Sequence, residues 1–201
     1  MPQDSCHITA LEVTHSRTAE EIRSLVDTLQ PSISKIVNYT YNHRARLIKP
    51  MVGYDAAALA LSFVPAAGEA LSGGRTEKDD AYTYHHLRRD LHGVTEEAGV
   101  KIDSRYIVPS AHLTIGRFIT TKSLTKDDDG SKPDPEKLKK MIEKIEQINA
   151  WLEAEYWPKN DGSRIKDGGE WIVGEEKGLD FRQGTLWYGS GGQTVELGKG
   201  F

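Results

Sequence analysis

CHITALEVT (residues 6–14) and HLTIGRFIT (residues 112–120) are the stretches on which the reading of this chain turns. In the first, Cys6, Ile8, Ala10 or Leu11, and Val13 alternate with polar residues at a period near two, the pattern of a strand with one face turned inward. The second alternates in the same way. Each opens on a histidine, an apolar residue and a threonine, His7-Ile8-Thr9 and His112-Leu113-Thr114. Along a strand, side chains two apart share a face and the one between them faces the other way. Each triplet therefore presents an imidazole and a hydroxyl together, with Ile8 or Leu113 behind them. One such triplet arises easily by chance among seven histidines and fourteen threonines; two, each opening a strand-like segment, do not.

Outward from these stretches, strand and helix patterns interleave. Thr18-Ala19-Glu20-Glu21 reads as a capping box opening a helix with Ile22, Leu25, Val26 and Leu29 on one face. Pro31 kinks or ends that helix, or Ile33, Ile36 and Val37 continue it. Leu47-Ile48 and the run from Ala56 to Val64 read as strands, the second apolar enough for a central position. Pro65 to Thr76, with Gly68, Gly73 and Gly74, is a loop. Asp79 to Ala98 reads as one helix with Leu87, Leu91 and Val94 repeating, stopped at Gly99. Lys122 to Pro133 is an exposed linker, after which Asp134 caps a helix with Pro135 at its first position. That helix runs through Leu138, Met141, Ile142, Ile145, Ile148 and Leu152. Short strands follow over 170–174, 179–181, 184–188 and 193–197, between glycine turns. This order predicts an α+β or mixed α/β fold, without a solenoid repeat.

Composition limits the partners. A chain of 201 residues forms one domain or two tightly joined lobes and buries a core without staples. Twenty-six Lys+Arg against thirty Asp+Glu leave a net charge of −4, which argues against gripping long nucleic acid through a basic surface. A small anion in a local pocket remains compatible with it. One cysteine, Cys6, excludes an intramolecular disulfide framework and a multi-cysteine zinc module. Residues 1–5 carry no basic or apolar signal region, and the longest apolar run, 56–67, is interrupted by Ser62 and Pro65 and is too short for a bilayer. The expectation is an intracellular monomer, cytoplasmic or nuclear, with no membrane partner and an unglycosylated Asn38.

Two imidazoles and two hydroxyls around one centre are what phosphodiester cleavage without a metal or cofactor requires. A neutral histidine takes a proton from water or an attacking hydroxyl, and a protonated one gives a proton to the departing oxygen. Histidine serves both roles because its ordinary pKa, about 6.5, populates both states near neutrality. Threonine hydroxyls donate to the non-bridging oxygens, where charge builds. The bland alternative is a pair of strand histidines bonded to backbone.

HITAL and HLTIGRF resemble the paired signatures of the two-histidine phosphoesterases. That superfamily includes 2′-5′ RNA ligases, 2′,3′-cyclic nucleotide phosphodiesterases and the nucleotide-binding domain of some kinase-anchoring proteins. The resemblance implies that residues 1–201 form a single bilobal α+β domain, two antiparallel sheets flanking a central cleft with helices outside. It implies His7 and His112 as the acid–base pair, without assigning which is which, and Thr9 and Thr114 as phosphate-binding hydroxyls. Arg117 matches the basic residue that follows the second motif in RNA-ligase-like members. Strict alternation sends Arg117 to the face opposite His112, so its place beside them requires a bulge or a strand end. The implied substrate is a nucleotide or RNA end with a 2′,3′-cyclic phosphate, or a 2′-5′ linkage, left as a 2′-phosphate. The long helical and loop material between the motifs departs from the most compact members. The alternative is a non-catalytic nucleotide-binding module using the same cleft.

Other residues are weaker candidates for a site. His85 and His92, with Glu96 one turn on, are too widely spaced to share an ion without a second element, so no metal is expected. His15 lies too far past His7 to join it, and His43 sits at a polar helix end, where a cation meets the dipole. Arg44, Arg46, Lys49, Lys101 and Arg105 line a phosphate cleft or scatter over the surface. Tyr82, Tyr84, Tyr106, Trp187 and Tyr188 are candidates to stack a base, though alternation sends Trp187 and Tyr188 to opposite faces. Residues 189–192 lack the lysine and the strand–helix context of a phosphate loop. Cys6 faces away from His7, which leaves no nucleophilic pair.

Overall fold

Thr18 starts the first helix as its sequence requires. Its hydroxyl accepts the Glu21 N–H while the Glu21 carboxylate accepts the Thr18 N–H, and helix α1 runs over Ala19–Val37. Pro31 lies within it on the exposed side; the helix carries through because Leu29, Ile33, Ile36 and Val37 are buried on its other face. The computed structural model describes residues 6–71, 74–104, 110–127, 132–161, 163–185 and 192–201. Among these follow β1 (Arg46–Tyr54), β2 (Ala58–Pro65), α2 (Glu77–Asp80), α3 (Tyr84–Glu97), β3 (Ala111–Arg117), α4 (Pro135–Tyr156), β4 (Glu170–Ile172), β5 (Lys177–Gln183) and β6 (Gln193–Lys199). The fold is α+β, with a four-stranded sheet in the order β3-β2-β1-β4 and a two-stranded β5-β6 sheet.

Two sequence expectations give way here. The strand predicted over 6–14 contributes a single bridge, at Ile8. Beyond Thr9 its backbone finds other partners: the Ala10 carbonyl accepts Arg88 Nε at 3.0 Å, and the Val13 carbonyl accepts the Asp103 N–H at 3.2 Å. The helix predicted over 79–98 is two, because Thr83 starts a second one. Its hydroxyl accepts the His86 N–H, while His86 Nδ1 accepts the Thr83 N–H at 3.1 Å.

The chain divides into two compact units, the first made of Met1–Thr9, Ile48–Val64 and Ser110–Glu170. Within it, Asp55 closes the β1–β2 hairpin by accepting the N–H groups of Ala57 and Ala58, each at 2.7 Å. Helix α4, capped by Asp134, satisfies the backbone of β1 through side chains. Asn149 donates to the Val52 carbonyl and accepts its N–H, and Trp157 donates to the Pro50 carbonyl. Phe63, Ala111, Ile145 and Leu152 are buried.

The second unit comprises Ala10–Leu47, Pro65–Pro109 and Trp171–Phe201. In it, α1 packs against α3 and the β5-β6 sheet. A β-carbon on Gly198 would stand 2.0 Å from the Val37 carbonyl, so only glycine permits the sheet to lie on the end of α1. Arg46, weighed above as a cleft residue, is instead a core residue. It grips the buried Asp80 from Nε at 3.2 Å and from a terminal nitrogen at 2.8 Å, and Arg75 and the Gly68 N–H also donate to that carboxylate. Burial pushes the Asp80 carboxyl up, but these donors outweigh it and hold it below the ordinary carboxylate value. Tyr84 is likewise core, buried among the helices rather than available to stack a base. His43 follows the short helical turn Tyr39–Tyr41, with its Nδ1 3.0 Å from the Tyr39 carbonyl and its ring stacked on Tyr39 at 4.1 Å between ring centres. Tyr39 and Tyr82 both donate to Asp90, and burial followed by that hydrogen bond pushes the Tyr82 phenol far up, so it stays a donor.

Candidate functional site

The two triplets lie side by side. Ile8 and Leu113 form an antiparallel bridge in the first unit, on the edge of β3 away from β2. In an antiparallel pair, bridged residues share one face and their neighbours share the other. His7 therefore stands across from Thr114, and Thr9 across from His112, all on the face opposite Ile8 and Leu113. Directly opposed β-carbons lie about 4.5–5.5 Å apart and diagonal ones about 7–8 Å, so the two imidazoles, on a diagonal, reach a common centre. His7 is exposed, and Thr9, His112 and Thr114 are half-buried.

The other edge of β3 fixes Arg117. Strand β2 pairs Ser62 with His112, Leu61 with Leu113 and Ala60 with Thr114, then Leu59 with Gly116 and Ala58 with Arg117. The register shifts between Leu59 and Ala60, and Ile115 is the extra residue of a β-bulge. Ala58, Ala60 and Ser62 share one face of β2, so the bulge turns Arg117 to the face of His112 and Thr114. Arg117 acts on Asp55, whose carboxyl is held below its ordinary value by the N–H groups of Ala57 and Ala58 and, less strongly, by the Arg117 charge.

His112 Nδ1 lies 3.3 Å from the Ser110 carbonyl. A carbonyl only accepts, so this hydrogen bond places a proton on Nδ1. No cluster of three or more metal-ligating side chains occurs among the described residues. His92 pairs with Glu96 at 3.6 Å on the exposed face of α3. A cavity of about 630 Å³ in the second unit, floored by Ile22, Leu25 and Val26 of α1, and one of about 410 Å³ in the first, beside Tyr54 and Phe118, are lined by none of the five site residues. Both are mainly apolar. His7 and His112 stand instead on the strand face. Arg105, Tyr106, Trp187 and Tyr188 lie outside the described residues.

No family model matches the chain, and no curated protein or solved structure matches it either. No helix among the described residues is long and apolar enough to cross a membrane.

Proposed function

We propose that this chain is a metal-independent phosphodiesterase of the two-histidine kind, acting on 2′,3′-cyclic phosphates or 2′-5′ linkages at nucleotide or RNA ends. The observation that carries this reading is the Ile8–Leu113 bridge, which sets two imidazoles and two hydroxyls on one strand face. In this reading the α+β fold is bilobal, with two antiparallel sheets flanking the cleft, and the protein works inside the cell as a monomer. A phosphate seated between His7 and His112 receives a water whose proton passes to one neutral imidazole. As the water oxygen bonds to phosphorus, the ester bond to the leaving oxygen breaks and the other imidazole, protonated, delivers its proton there. The hydroxyls of Thr9 and Thr114 donate to the non-bridging oxygens as their charge grows, and Arg117 adds a fixed positive charge. Both proton transfers are supplied by side chains, so the mechanism needs no metal.

A screen of cyclic-phosphate nucleotides and cyclic-ended oligonucleotides, with product analysis, tests the proposal. Turnover to a 2′-phosphate is expected. Binding of a mononucleotide with every cyclic phosphate left intact would make the protein a nucleotide-binding module instead.

A further inference from the structure

The register of β2 places a third hydroxyl beside the histidines. Ser62 is the β2 partner of His112, as Thr9 is its partner on the other edge, so Thr9, His112 and Ser62 form a row across the face. The next row is His7, Thr114 and Ala60, and beyond it Arg117 stands opposite Ala58. Neighbours within a row are about 5 Å apart at their β-carbons. The donors are thus uneven. The imidazole of His112 is flanked by hydroxyls on both sides, whereas Thr114 is flanked by an imidazole and a methyl group. Ser62 is half-buried in a run of Ala, Leu, Phe and Val, where a hydroxyl gives no packing that alanine would not give.

We propose that Ser62 is a substrate-binding residue whose hydroxyl donates to a non-bridging oxygen of the phosphoryl group beside His112. This rests on the phosphodiesterase reading and deepens it: with Thr9 on one side of His112 and Ser62 on the other, phosphoryl oxygens beside that imidazole have a hydroxyl donor on each flank. Hydrogen bonds to a charged oxygen are among the stronger ones, and losing one here costs about tenfold or more.

The full-length protein, with Ser62→Thr and Ser62→Val, tests this. The two variants share a branched shape suited to a strand and differ by the hydroxyl alone, so their comparison is independent of any effect on folding. On a 2′,3′-cyclic nucleotide, Ser62→Thr is expected to retain most of kcat/KM and Ser62→Val to lose about tenfold or more. The Kd for a nucleoside 2′-phosphate should weaken in parallel. Equal values for the two variants, with His7→Ala and His112→Ala inactive, would overturn the role of Ser62 and leave the phosphodiesterase intact. Binding without turnover in the native protein would sink the phosphodiesterase reading, and the Kd comparison would then decide Ser62 by itself. Neither binding nor turnover in the native protein would overturn both.

Discussion

At the scale of single residues, the proposed chemistry rests on four side chains and a register. His7 stands across from Thr114 and His112 across from Thr9 because Ile8 bridges Leu113. Removing either imidazole takes away one proton transfer. His7→Ala and His112→Ala should each lower kcat by about 10²–10⁴-fold with the circular dichroism unchanged, and retained activity in either would remove that residue from the acid–base pair. In the proposed mechanism the hydroxyls act where charge develops, so Thr9→Val and Thr114→Val should lower kcat more than they raise KM. A change in KM alone would make them contacts to the ground state. Histidines and threonines were legible in the sequence because two residues apart on a strand means one face. Ser62 was not, since nothing near it in the chain says that His112 is its partner.

At the scale of elements, helix starts followed the sequence closely. Thr18 and Asp134 cap α1 and α4 as read, since a cap depends on residues two or three positions away, whereas Thr83, which caps α3, lay inside the single helix expected over 79–98. Strand ends did not: 6–14 yields one bridge because Arg88 and Asp103 take the backbone beyond Thr9. The chain segments at Gly68 and Arg75 are held by the buried Arg46–Asp80 pair, whose carboxylate accepts from both. Because the folded Asp80 lies below the unfolded value of about 3.9, its stabilisation is complete above that pH and is lost as pH falls through the folded value. Asp80→Asn strands Arg46 in the core and should cost about 3–5 kcal/mol at neutral pH. Melting curves of the two proteins should converge as pH drops below about 3.9; a gap that stays constant would show that the ionised carboxylate is not what stabilises these segments.

At the scale of the whole molecule, a two-imidazole mechanism has a solution signature. One histidine must be neutral and the other protonated, so kcat/KM should follow a bell in pH, and activity should survive a chelator. Loss of turnover on adding EDTA, restored by a divalent cation, would replace this mechanism with metal-assisted hydrolysis. The net charge of −4 argues against gripping a long polyanion through a general basic surface, which agrees with the small substrate proposed.

By itself the sequence determined a fold mixing α and β elements, the caps of α1 and α4 and the two His-x-Thr faces. Each of these depends on interactions within a few residues. Tertiary structure alone decided that the two triplets are neighbours, that a bulge at Ile115 turns Arg117 toward them, and that Arg46 belongs to the core. The physical reason is that register is fixed by hydrogen bonds between chain segments far apart in sequence, and a one-residue shift reverses which face a side chain occupies.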